Sequence, residues 1–289
     1  MLHFCVSGAF QPIDHYVPVA KAAEAAGFRY CAVSDHIAHP EVIHSPYPYT
    51  PDGGLRWESF ANWPDPMVTI GAMAAATETL RFVTAIYILP ARSLFTIAKS
   101  VGTAAAISNG RLTLGIGVGW MKEEFEIQGE NFHTRGKRTD ELLEVLPKLW
   151  AGGWVEHHGR FYDFDRLELT PAPGRVPVLV GGLSEPAIRR AARLADGWIS
   201  DLHSTEELRG IVQHLRELRA DTERASDPFY IFAACTDAFD LDGYRRLEDV
   251  GVTHIMTKPW IFHGVEETDL PGKLDSLKRF GDEILQELA

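Results

Sequence analysis

The sequence predicts an α/β fold, a (β/α)8 TIM barrel formed by residues 1–289 as one domain, with insertions at the C-terminal face of the strands. Three observations predict it. Apolar, β-rich runs alternate eight times with segments of helical periodicity, and such alternation forces parallel strands joined by right-handed helical crossovers. The length of 289 residues suits eight repeats closed into a barrel better than an open sheet. One β-α-β unit, at 178–200, is legible outright, with a Gly-Gly turn between its first strand and its helix.

Residues 2–7 read as the first buried strand. The next helix, 14–26, carries Val17, Val19, Ala20, Ala23 and Ala26 on one face, and Gly27 stops it. Residues 30–34 form strand two, with Asp35 and His36 at its C-terminal end. The stretch 37–64 is rich in Pro, Tyr and Trp and lacks periodicity; a loop of that length in a compact domain is a lid or a pocket wall. Pro66 opens a helix over 67–77, strand three spans 80–89, and an alanine-rich helix, 93–107, ends at Asn109-Gly110. Strand four, 112–116, runs into Gly117-Val118-Gly119-Trp120. Helix 134–150 follows, and 154–174 suggests a short hairpin outside the barrel. Strand five, 176–180, meets Gly181-Gly182 and then Ser184-Glu185-Pro186, the N-cap, acid and proline that start a helix. Strand six begins at Trp198-Ile199. A helix at 205–224, a strand at 229–234, a helix at 241–250, a strand at 253–256 and a helix at 271–288 complete the chain.

In such barrels the active site lies at the C-terminal ends of the strands, where Asp35-His36, the turn after strand three, 117–120 and Gly181-Gly182 all fall. The turn at Gly181, Gly182 and Ser184 presents unpaired N–H groups at the positive end of a helix dipole, so phosphate is its natural guest; the alternative is a sharp βα turn with nothing bound. His36 suits proton transfer or a hydrogen bond to a substrate oxygen; the alternative is an ordinary loop histidine, and its place at a strand end favours the first. Asp35 either bonds a polar group of a cofactor or caps the turn. Trp120 reads as a pocket wall against a planar ligand or as ordinary apolar cover, its place directly after Gly-Val-Gly favouring the wall, and Trp57 and Trp63 suit an apolar or aromatic guest. Glu123 and Glu124 read equally as acids at a helix start, favoured by the dipole, and as catalytic acids.

Twenty-eight basic against forty acidic residues give a charge of −12, which repels nucleic acid and anionic membrane, and no basic cluster with interleaved aromatics offsets it. Cys5, Cys31 and Cys235 are odd in number, far apart and set in apolar runs, so they read as free core thiols of a reducing, cytoplasmic compartment. No metal-binding knuckle is present, and no apolar segment reaches membrane-spanning length.

Three segments together carry a resemblance: D-H-I-A-H-P after strand two, G-R-L-T-L-G-I-G-V-G-W-M-K-E-E-F, and P-V-L-V-G-G-L-S-E-P-A-I-R-R-A-A-R-L-A-D-G-W-I. In that order they resemble the luciferase-like monooxygenase superfamily, on its branch that uses coenzyme F420, an 8-hydroxy-5-deazaflavin. The resemblance implies a (β/α)8 fold with the deazaflavin ring in the barrel mouth and its phosphate on the turn at Gly181, Gly182 and Ser184. It implies that Asp35, a bulge at Thr84, Ala85 and Ile86, and Gly117, Val118 and Gly119 touch the ring system, with a cis peptide between Ala85 and Ile86. His36 is similar in position to the histidine that acts on substrate in F420-dependent dehydrogenases of the family. Trp120 stands where the sugar-phosphate dehydrogenase relative has a glutamate proton donor, which leaves the acid unassigned. Arg189, Arg190 and Lys258 are the candidates for a basic rim that would meet the oligoglutamate tail of F420.

The leading expectation is therefore hydride transfer between F420 and a small organic substrate. The alternatives are an FMN-dependent monooxygenase using reduced flavin and oxygen, and a flavin- or deazaflavin-binding protein without turnover. A homodimer is compatible with either enzyme. A metal-dependent sugar isomerase on the same barrel needs convergent ligands that the sequence supplies only at Asp35 and His36.

Overall fold

The computed structural model describes residues 2–288. The strands in chain order are β1 (His3–Ser7), β2 (Tyr30–Val33), β3 (Arg81–Thr84), β4 (Tyr87–Ile88), β5 (Leu112–Gly117), β6 (Trp154–His158), β7 (Asp163–Glu168), β8 (Val178–Gly181), β9 (Gly197–His203), β10 (Tyr230–Cys235) and β11 (His254–Thr257). The helices are α1 (Tyr16–Ala26), α2 (Pro66–Ala75), α3 (Leu94–Ile107), α4 (Lys122–Ile127), α5 (Arg135–Ala151), α6 (Glu185–Leu194), α7 (Thr205–Ala220), α8 (Leu241–Val250), α9 (Pro259–Phe262) and α10 (Leu270–Phe280).

The parallel strands run β3-β2-β1-β11-β10-β9-β8-β5, and pairing of β3 with β5 closes the ring of eight. The third strand is not continuous over 80–89. It breaks after Thr84, where Ala85–Ile86 is a cis peptide as the resemblance implies, and β4 then resumes along β5. β6 and β7 form an antiparallel hairpin apart from the barrel. Glu141 of α5 holds that hairpin, accepting the N–H groups of Phe161 and Tyr162 at 3.0 and 2.8 Å.

Side-chain alternation along each strand builds two apolar layers. Cys5, Tyr30, Ala32, Val83, Leu179, Ile199 and Phe232 fill the barrel, with Ala85, Ile86 and Met256 packed on them. The intervening residues, among them Phe4, Val6, Cys31 and Val33, meet the helical layer. All three cysteines are free and buried. Local signals set the helix ends: Asp65 caps α2, accepting from Met67 and Val68 N–H at 2.9 and 3.0 Å, and Gly27, at φ 93°, ends α1. The helix expected from residue 14 begins in a 3-10 turn, Ile13–His15, and becomes α-helical at Tyr16. Among the described residues no helix is long and apolar enough to cross a membrane.

Candidate active site

β2 delivers Asp35 and His36 to the C-terminal mouth, and from there to Asp65 the chain forms no helix or strand. This long loop folds over the mouth because its aromatic side chains find one another and the barrel rim. The His36 ring lies 4.6 Å from Trp63, 5.1 Å from Trp57 and 6.0 Å from Trp120, centroid to centroid. Tyr47 packs edge-on to Trp57 and Trp120, each at 5.2 Å, and Phe10, from the loop after β1, packs against Trp57 and Trp63. The indole N–H groups of Trp57 and Trp63 are buried without an acceptor among the described residues. The three tryptophans singled out in the sequence thus converge on the histidine. Phe10, Tyr47 and Tyr49 join them, and only an approach in space, not spacing along the chain, could have revealed that.

Three ties hold the loop down. The Arg56 guanidinium donates to Asp201 at 2.6 Å, at the end of β9, and to the carbonyl of Tyr49. Glu123 accepts the N–H groups of His44 and Ser45 at 2.8 and 3.1 Å. Glu124, only 1% exposed, accepts from the N–H of Ile37 at 2.6 Å and lies 3.0 Å from His36 Nδ1. Burial first, and the nearby Asp201 carboxylate second, raise the Tyr47 and Tyr49 phenols, so both remain donors at neutral pH.

The other sequence candidates divide into two groups. Ala85, Ile86, Gly117 and Gly181 meet at the floor of the mouth: a Cβ on Gly117 would stand 2.2 Å from the Ile86 side chain, and one on Gly181 would stand 3.1 Å from it. These glycines leave the space that the Ile86 side chain fills. Gly119, at φ 81°, admits Ile88 and Phe125 against its backbone, and its carbonyl accepts from Arg135 at 2.9 Å. Val118 lies partly buried in the same turn. Gly182, at φ 111°, turns β8 into α6, whose N-cap, Ser184, is exposed and makes no side-chain capping bond. The N–H groups of Leu183 and Ser184 have no acceptor among the described residues.

Two candidates have their polar groups engaged elsewhere. Asp35 accepts from Ile88 N–H at 2.9 Å and from both terminal nitrogens of Arg92, at 2.7 and 2.8 Å. The Thr84 hydroxyl, fully buried, donates to the Gly115 carbonyl at 2.7 Å. The residues considered for a basic rim are also paired: Arg190 is buried against Asp140 at 2.6 Å, Lys258 donates to Glu267 at 2.6 Å, and exposed Arg189 meets Glu185 at 2.5 Å. Among the described residues no three His, Cys, Asp or Glu side chains are grouped to hold a metal ion.

A closed parallel barrel carrying a strand–glycine turn–helix and a histidine–carboxylate pair at the same end defines a (β/α)8 protein with that mouth as its candidate site. The chain belongs to the luciferase-like monooxygenase family, whose model matches residues 3–242, and it is accordingly an enzyme of oxidoreductase type. An uncharacterized protein of Mycobacterium tuberculosis is 36% identical over 99% of this chain and 100% of its own. The FMNH(2)-dependent dimethylsulfone monooxygenase of Pseudomonas fluorescens is 29% identical over 71% of this chain and 52% of its own. The coenzyme F420-dependent tetrahydromethanopterin reductase of Methanopyrus kandleri shares the fold, with a TM-score of 0.76 at 15% identity, covering 100% of this chain and 99% of that one.

Proposed function

We propose that the protein transfers a hydride between coenzyme F420 and a small apolar or aromatic organic substrate. The observation that supports this most directly is one mouth with two unlike halves. One half is an anion-receptive turn at the start of α6, and the other is an indole-lined space around a histidine–carboxylate pair. The residues present fit a flat ring with a phosphate. Ile86 and the glycines beneath it form an apolar floor, and the free N–H groups of the β8–α6 turn lie at the N-terminus of α6.

In this reading Gly181, Gly182 and Ser184 hold the phosphate, while Ala85, Ile86, Gly117, Val118 and Gly119 line the ring. Asp35 acts from behind, holding Ile88 N–H and Arg92 so that the chain after the bulge keeps its path. When bound, F420 supplies the carbon centre that accepts or releases the hydride. His36 takes the substrate's hydroxyl proton in the oxidation direction and returns it in the reduction direction. Trp57, Trp63 and Trp120 enclose the substrate and keep water from the reacting atoms.

The FMN-dependent monooxygenase reading has its own support in the Pseudomonas relative, and FMN carries a phosphate for the same turn. Titrating the apoprotein with F420 and with FMN separates the two. F420 is expected to bind at least about tenfold more tightly. Tighter FMN binding moves the assignment to the monooxygenase, and binding of neither removes both readings.

A further inference from the structure

A carboxylate in the first turn of a helix is ordinarily solvated and merely favoured by the dipole. Glu123 and Glu124 both open α4, yet they serve different ends. Glu123 holds the backbone of the loop at His44 and Ser45. Glu124 is drawn beneath the root of the same loop, where its Oε1 accepts the N–H of Ile37 at 2.6 Å and of Ala38 at 3.5 Å. Its Oε2 is left to face His36 Nδ1 at 3.0 Å.

This division of the two oxygens has a consequence for the imidazole. A neutral imidazole has one donor nitrogen and one acceptor nitrogen. With Oε1 committed to backbone donors and Oε2 turned to the ring as an acceptor, the ring proton belongs on Nδ1. Nε2 then carries the lone pair. No protein group among the described residues hydrogen-bonds to Nε2, and the ring sits among Trp57, Trp63 and Trp120.

We propose that Glu124 is the positioning residue of this site: it holds His36 as the Nδ1–H tautomer and thereby presents Nε2 to the substrate as the proton acceptor. The proposal rests on the reading of His36 as the group that moves the substrate's proton. A buried carboxylate on Nδ1 also stabilises the imidazolium formed when Nε2 takes that proton. A purely structural role, clamping the loop root, predicts something different for Glu124→Gln. Glutamine keeps an oxygen for the Ile37 and Ala38 N–H groups, so the clamp survives. Its NH2 then faces Nδ1, which must accept, and the ring proton moves to Nε2.

The test is nitrogen–proton correlation NMR of histidine-labelled apoprotein at about pH 8, where an ordinary imidazole is neutral, with His36 assigned through His36→Ala. The wild type is expected to hold His36 as Nδ1–H in roughly tenfold excess or more, from one hydrogen bond to a charged acceptor. Glu124→Gln and Glu124→Ala are each expected to make Nε2–H the major form. Nε2–H in the wild type overturns the proposal, and so does Nδ1–H retained in the variants. Should a variant fail to fold, the wild-type spectrum and the other variant still decide. The spectra are recorded without cofactor, so failure of F420 to bind leaves this result standing, and a wrong tautomer leaves the cofactor assignment untouched.

Discussion

Asp35 is 5% exposed, and its carboxylate receives three N–H groups, one from Ile88 and two from Arg92, whose guanidinium also lies 4.3 Å from the centre of the Tyr87 ring. Such a bidentate pair is costly to break from one side, because the cation, 13% exposed, is left largely buried without its counter-ion. Asp35→Ala is therefore expected to lower stability by about 3 kcal/mol or more, read from urea unfolding. A loss below about 1 kcal/mol would mean that Arg92 escapes to solvent. The same carboxylate marks a limit of sequence reading. Its place at a strand end was legible, but its partner was not, because Arg92 lies beyond the next strand and the break after Thr84, and reaches Asp35 only once β3 has paired with β2. Glu124 was obscured for a related reason. An acid in a helix's first turn needs no further explanation until the loop around Ile37 is seen to bury it.

The long loop after β2 is an element without secondary structure whose order comes from its anchors. Its length and lack of periodicity identified it in the sequence as a lid or wall, while its ties to Asp201, Glu123 and Glu124 depend on strand ends far along the chain. Arg56 and Asp201 are each about a third exposed, so their pair contributes little to global stability. It joins the far end of the loop to β9, however, and local opening depends on such ties. Arg56→Ala is expected to speed limited proteolysis and amide exchange within 40–60 by about tenfold while changing global stability by less than about 1 kcal/mol. An unchanged local rate would show that the aromatic cluster alone holds the loop. The third strand shows the opposite limit. Its apolar run reads as unbroken over 80–89, and only the resemblance, not the hydrophobic pattern, marked the interruption at Ala85–Ile86 that places Ile86 on the floor of the mouth.

At the scale of the whole molecule the barrel was legible because each repeat obeys the same rule: a strand that alternates between two apolar layers and a helix that returns over it. What the pattern did not expose is a titrating group inside the barrel. His254 starts β11, is 3% exposed and stacks on Phe232 with ring centres 3.9 Å apart. Burial first, then the neighbouring His3, Arg29 and Arg81, push its pKa down from 6.5 to about 3. The unfolded chain therefore binds a proton that the folded chain refuses between those two values. Stability from this source is fully present above about pH 6.5 and is lost as pH falls toward 3, with a slope of at most about 1.4 kcal/mol per pH unit. Carboxylates held below their ordinary 4.5, Glu24 and Glu123 among them, add to the acid loss only below that value. His3, His203 and His263 are also lowered and share the window above it. His254→Phe keeps the stack on Phe232 and removes one titration. Urea unfolding between about pH 5 and 6.5 should then show a slope smaller by up to one proton, and a slope equal to that of the wild type would place the titrating group elsewhere.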